Sequence, residues 1–218
     1  MQQRMLDSEY WDSFYENDNN WGQPNTKILC LVKTLQEKFG TTKIRVLDLA
    51  CGNGRYAVAL AELGTKVDCI DFSPVAVNRL KAQARKHGLD NLISPYCCDV
   101  REFRIPPFNY HLVLASGLFE YLIEAELQKL IGDCQKGTVI EGANAFVWLL
   151  QHREAAKVFG ECPHACGMVE DIYIHSRAWQ IISWQADFKE DFHPLNKNDE
   201  PQWHKHYIGR LIATRVAE

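Results

Sequence analysis

Several things are scarce in this 218-residue chain. No apolar run approaches the roughly 20 residues that cross a bilayer as a helix, so a helical membrane protein is excluded. No basic excess exists: 24 Lys and Arg stand against 28 Asp and Glu, a formal net charge of −4. Nothing therefore asks for nucleic acid or anionic lipid as a partner. Pro/Gly-rich and low-complexity tracts are absent, as are internal repeats, which leaves a globular chain long enough for one domain with a sizeable core. The opening MQQRMLDSEYWDSFYEND is polar and acidic, without the basic and apolar regions of a secretory signal. The eight cysteines are accordingly expected as reduced thiols in the cytoplasm. Five of them (Cys30, Cys51, Cys69, Cys97 and Cys98) fall inside apparent core elements, where a thiol packs as a small hydrophobe.

What is present is an alternation of short apolar strands and amphipathic helices. An aromatic cluster (Tyr10, Trp11, Phe14, Tyr15 and Trp21) precedes a helix with Ile28, Leu31, Val32 and Leu35 at helical spacing, stopped by Gly40. Strands are expected over Ile44 to Leu49, "KVDCID", "LISPYCCD", "YHLVLAS" and "GTVIEGA". Helices are expected after Gly54, after the Ser73-Pro74 cap and proline, and over Leu118 to Ile131. This pattern implies an α/β, doubly wound, mostly parallel sheet with both faces covered. Past residue 143 the alternation breaks. "AFVWLLQHREAAKVF" reads as a helix, "ECPHACG" as a loop, and "RAWQIISWQADF" with "YIGRLIATRVA" as an antiparallel C-terminal strand pair closing the sheet.

The stretch most informative about chemistry is "VLDLACGNGRYA", a strand running into a glycine turn and a helix start. A P-loop needs a Lys-Ser/Thr pair after its last glycine, and Arg55-Tyr56 stands there instead. A dinucleotide fingerprint is matched formally by Gly52, Gly54 and Ala57, with Asp71 at the distance of a ribose-binding acid. Asp48 weighs against it, because a carboxylate inside the strand sits badly beside a pyrophosphate. It suits a cofactor that carries an ammonium and a sulfonium.

Asp48-x-Ala50-x-Gly52-x-Gly54 resembles motif I of the class I S-adenosylmethionine-dependent methyltransferases, with Ala50 where the family has its first glycine. The resemblance extends through three further landmarks in order. Asp71 matches the acid that receives the ribose hydroxyls. Asp99 and the neighbouring Val100 amide match the adenine contacts, and "LVLASGLFEYL" matches the fourth motif, with Ser116 near the methionine end. Cys51 and Phe72 belong to the same implied cofactor lining. The resemblance implies a seven-stranded Rossmann-like domain over 1–218, divided into an N-terminal aromatic lid and helix (1–40), a cofactor-binding core (41–142) and an acceptor side (143–218).

"EYWDSFYENDNNWGQPN" is similar to the opening of the tellurite-resistance (TehB-like) and thiopurine methyltransferase group, carried by Trp11, Asp12, Tyr15, Trp21, Gly22, Pro24 and Asn25. In that group the segment closes over the cofactor, and an aromatic lid there excludes water and offers ring faces to the sulfonium. The implied reaction is methyl transfer from S-adenosylmethionine to a small-molecule acceptor by in-line displacement, a thiol or chalcogen being favoured. S-adenosylhomocysteine is then the product, and neither nucleic acid nor membrane is a partner. Monomer and homodimer both remain open.

Glu120 and Tyr121, after the fourth strand, are candidates for the acceptor side, with His193, His204 and His206 near the C-terminal strands. The two histidines of "WHKHY" share one face of a strand, and two readings stand for them: a solvated edge-strand pair, or substrate and general-base duty. "CPHAC" (Cys162, His164 and Cys166) matches no common zinc spacing, so no metal site is expected. A helix spanning Trp148 to Phe159 is expected to shape acceptor specificity.

Overall fold

The computed structural model describes residues 8–16, 22–150, 168–193 and 202–216. In chain order these form α1 (Ser8–Glu16), α2 (Thr26–Phe39), β1 (Arg45–Leu49), α3 (Arg55–Glu62), β2 (Lys66–Asp71), α4 (Pro74–Lys86), β3 (Ile93–Cys97) and β4 (Tyr110–Ser116). A 3₁₀ turn (Phe119–Tyr121) leads to α5 (Glu124–Gly137), β5 (Thr138–Leu149), α6 (Met168–Ile174), β6 (Trp179–His193) and β7 (Gln202–Arg215). The strands make one seven-stranded sheet in the order β3-β2-β1-β4-β5-β7-β6. β1 to β5 run parallel, and β7 lies antiparallel to both β5 and β6, so the doubly wound sheet and its antiparallel C-terminal pair are as expected. Strand order reverses between β1 and β4, and open α/β sheets bind ligands at the carboxyl ends of strands flanking such a reversal.

Each face of the sheet has its own core. One packs Ile28, Val32 and Leu35 of α2 with Ala57 and Leu60 of α3 and Leu80 of α4 against Val46, Leu112 and Leu114. The other packs Leu127, Leu130 and Ile131 of α5 with Val169 and Tyr173 of α6 against Leu47, Val113, Phe146 and Trp148. Local chemistry fixes the helix ends. Asn25 caps α2 by accepting from Lys27 N at 2.9 Å, and Gly40 closes it in the left-handed region at φ 64°. Ser73 caps α4 by accepting from Ala76 N at 3.1 Å, ahead of Pro74.

Two expected elements differ. The helix over Leu118 to Ile131 starts later: the 3₁₀ turn comes first, and α5 begins at Glu124, where the Glu126 carboxylate accepts from Ile123 N at 3.0 Å. Residues Ala145 to Leu149, expected as helix, are instead the end of β5. Phe146 and Trp148 enter one core while Ala145 and Val147 enter the other, a period of two. A central strand covered on both faces reads as a continuous apolar run, and such a run does not distinguish strand from buried helix. Residues 151–159 of the expected helix lie outside the described residues.

Candidate functional site

The switch point carries the glycine loop. Ala50 (φ 55°), Gly52 (φ 57°) and Gly54 (φ 95°) all adopt left-handed conformations between β1 and α3. A Cβ on Gly52 would run into the Tyr15 hydroxyl, and one on Gly54 into the Leu80 side chain, so a larger residue at either would have to displace a neighbour as well as bear a left-handed backbone. Ala50 sits in the same conformational region with its Cβ in place. The first position of the motif therefore needs left-handed backbone too, and alanine is strained there.

Asp71, at the end of β2, ties the loop down. Its Oδ2 accepts from Gly52 N at 2.8 Å and its Oδ1 from Ser73 N at 2.9 Å, while the side chain is nearly closed to solvent. Burial pushes its carboxyl up; the Ser73, Gly52 and Phe72 amides pull it back. A carboxylate has about four acceptor sites, so accepting these amides still leaves capacity for a ligand hydroxyl.

Asp48 is 2% exposed, and its Oδ2 has no hydrogen-bond partner. Desolvation lifts its pKa to about 7, against the opposing pull of the Arg55 guanidinium. Arg55, first residue of α3, reaches across the loop to donate to Ser116 Oγ at the end of β4, at 2.8 Å. Carboxylate, guanidinium and hydroxyl thus gather at the ends of β1 and β4, with a buried carboxylate oxygen that has no hydrogen bond beside a cation. An amino-acid end of a ligand has a group complementary to each.

At the end of β3, Asp99 is held by Arg101, which donates from Nε at 2.9 and 3.0 Å and from an Nη at 2.5 Å, and touches Glu126 at 3.4 Å. The guanidinium keeps the Asp99 carboxyl below its usual range. Val100 beside it is buried. Cys51 contributes backbone to the loop, its N donating to Ile70 O at 3.0 Å, while its thiol packs inward beside Cys69. Phe72 is half-buried at the α4 entry.

α1 covers this edge. Asp12 accepts from Ser73 Oγ, and from Val75 N at 3.2 Å, so it joins the N-terminus of α4 next to Asp71. Trp11 meets Tyr121 edge to face at 5.5 Å, which brings the lid against the turn that carries Glu120. Trp21 lies outside the described residues, as do Cys162, His164 and Cys166.

The histidines stand apart from the loop. The β5–β7 ladder ends at Leu149 opposite Ile208, and β6 and β7 continue together to His193 opposite Gln202. They form an arm beyond the carboxyl edge of β5. His204 and His206 are each 8% exposed, with Nε2 atoms 3.0 Å apart. The solvated reading is thereby corrected, because both rings are buried; β7 does pair with β6 alone over this stretch, so the edge-strand part of the reading stands. His193 closes the arm through its backbone pairing.

Sequence reasoning missed Arg55 and Arg101. A cation directly after a glycine turn was the available signal for the first; nothing in the sequence pointed to the second.

Comparisons with known proteins bear on this edge. Residues 46–142 match the family described as Methyltransferase domain. The chain is 45% identical over 58 residues to the 23S rRNA (uracil(1939)-C(5))-methyltransferase RlmD of Shewanella amazonensis, covering 27% of this chain and 13% of that one. To the probable S-adenosyl-L-methionine-dependent methyltransferase TehB of Haemophilus influenzae it is 24% identical over 159 residues, 72% of this chain and 51% of that one. The matches thus span about half or less of each relative's length. The crystal structure of TehB superposes with a TM-score of 0.66 at 20% identity, covering 95% of this chain and 67% of that one. A solved structure described by the conversion of a disulfide bond into a thioacetal group during echinomycin biosynthesis reaches 0.65 at 18% identity, covering 96% of this chain and 91% of that one.

Proposed function

With residues 46–142 forming a methyltransferase domain of the class I, Rossmann-like kind that takes S-adenosylmethionine, we propose that this chain methylates a small molecule, a thiol or chalcogen by preference. The observation that carries the cofactor assignment is Asp48 Oδ2, buried with no partner. A pyrophosphate would aggravate that anion, whereas an ammonium completes it. When bound, S-adenosylmethionine supplies an electrophilic methyl group on a sulfonium and leaves as S-adenosylhomocysteine.

The chain's own residues bind, orient and exclude water. Asp48 takes the ammonium, and Arg55, anchored on Ser116, takes the carboxylate. Asp71 receives the ribose diol on its remaining lone pairs while fixing the glycine loop. Asp99 and the Val100 amide face the adenine, with Arg101 sharing the Asp99 carboxylate. Tyr15 and Trp11 close the lid and keep water from the reacting atoms. Glu120 and Tyr121 meet the acceptor. His204 and His206 on the arm face the acceptor from the far side, and His193 stays a candidate by its place at the arm's end. A soft anionic nucleophile needs alignment more than it needs a base.

The acidic balance of the chain supports a small acceptor over RNA, although two relatives' names specify a uracil in rRNA or in tRNA and tmRNA. Those matches span only 58 and 78 residues. The disulfide-to-thioacetal conversion named for one structural neighbour supports the thiol preference. No helix among the described residues is long and apolar enough to cross a membrane. A cytoplasmic enzyme with reduced thiols, acting as monomer or homodimer, fits the composition.

The test is S-adenosylhomocysteine formation from S-adenosylmethionine over a panel of thiols, selenols, amines, phenols and an RNA transcript. Turnover with thiols or selenols is the expected result. Turnover with RNA alone contradicts the acceptor assignment.

A further inference from the structure

His204 and His206 alternate with Lys205 on β7, so both rings leave the same face of the arm. Their centroids lie 4.7 Å apart with planes inclined at 78°, and the two Nε2 atoms converge to 3.0 Å. Across the ladder, the backbone of Lys189 pairs with that of His206 and the backbone of Asp191 with that of His204, so both histidines lie where β6 and β7 are still in register.

We propose that His204 and His206 are the protein half of a binding site for one divalent transition-metal ion, a class that imidazole nitrogen suits. Two nitrogens at about 2.0–2.1 Å from one ion stand roughly 2.9–3.4 Å apart at angles between square and tetrahedral, which brackets the spacing found here. Without metal the pair is held by one Nε2–H donating to the other Nε2. With metal, both lone pairs point at the ion, and the donating ring carries its proton on Nδ1 instead. Among the described residues no group of three His, Cys, Asp or Glu side chains gathers to hold an ion. The proposed site takes two protein nitrogens, and water or a soft donor atom of a ligand completes the coordination. Such a site binds exchangeably, not structurally.

Metal binding here does not depend on methyl transfer. That the ion faces the acceptor rests on the proposed methyltransferase function. The test is calorimetric titration of chelator-treated, reduced full-length protein with Ni²⁺ and Zn²⁺, on wild type, His204→Gln, His206→Gln and a Cys162→Ser/Cys166→Ser variant. One-to-one binding is expected, weakened by at least about tenfold in each histidine variant and kept in the cysteine variant. S-adenosylhomocysteine affinity should be unchanged in the histidine variants, which shows that they fold and separates this site from the methyl-donor pocket. On wild type, the Co²⁺ form should give two exchangeable hyperfine-shifted imidazole N–H signals in its proton NMR spectrum. No binding, binding indifferent to the histidines, or a Co²⁺ spectrum without those two signals would overturn the site.

Discussion

The two ends of the carboxyl edge are built on opposite plans. Around the glycine loop, the groups come from short turns that follow β1, β2 and β4, and they hold one another: Asp71 on Gly52 and Ser73, Arg55 on Ser116, Asp12 on Ser73 and Val75. On the histidine arm, two long strands continue past the end of the β5 ladder and present side chains from paired backbone alone. Cofactor recognition needs fixed hydrogen bonds to a constant molecule. An arm with its own backbone pairing can change its side chains without disturbing them.

Breaking the first plan should have the largest effect. Asp71→Ala strips the partner from the Gly52 and Ser73 amides and, in the proposed binding mode, from the cofactor's diol, and an unmade buried hydrogen bond costs about 1–3 kcal/mol. We expect S-adenosylhomocysteine affinity to fall at least about a hundredfold and the melting temperature to drop, read by calorimetric titration and scanning. A loss of affinity with unchanged melting would separate the loop-fixing role from the diol-binding one.

Arg55→Gln keeps the loop but removes the cation anchored on Ser116, and should weaken the cofactor by about tenfold, in line with one charge-assisted hydrogen bond. A Ser116→Ala variant should do less, since it loosens the guanidinium without removing it.

Asp48 sharpens the comparison through pH. Its folded pKa of about 7 lies above its ordinary value of 3.8, so the folded state holds the proton more tightly than the unfolded one. Its contribution to stability is full below about pH 4 and is lost as pH rises through about 7. The melting temperature of the cofactor-free protein should therefore climb between pH 8 and about pH 5.5. Asp48→Asn should flatten that climb, and cofactor affinity in wild type should rise with pH through the same window as the carboxylate ionises. A pH-independent affinity would remove Asp48 from the ammonium site.

The smallest effect is at Ala50. Glycine there relieves a left-handed alanine, offset by the extra freedom glycine gives the unfolded chain. Ala50→Gly should stabilise by about 0.5–1 kcal/mol in chemical denaturation without changing cofactor affinity.

The same division governs what is legible in the sequence. Asp48, the glycine turn and the Ser73-Pro74 helix start announce themselves because their chemistry is local: a cap, a left-handed turn and a strand-end acid sit within a few residues of what they serve. The end of β5 is hidden, because Phe146 and Trp148 are read correctly only against β4 and β7, which lie far away in sequence. Ala50 reads as a mild departure from the glycine pattern, and its φ of 55° shows that the position has the same backbone demand as its neighbours. Arg101 matches no motif: its main partner, Asp99, is only two residues away, but a charged pair at that spacing is common on any surface turn, and its second contact, Glu126, lies far off in α5. The meeting of His204 and His206 is half legible: alternation puts them on one face, but burial and the 3.0 Å approach follow from the arm itself.

The most direct measurement is calorimetric titration of the reduced protein with S-adenosylhomocysteine, with NADH as control. One-to-one binding of S-adenosylhomocysteine, strongly weakened by Asp71→Ala and absent for NADH, is what the arrangement of Asp48, Arg55 and Asp71 predicts. Binding of NADH in its place would mean that the loop holds a pyrophosphate, and the methyl-donor site described here would be wrong.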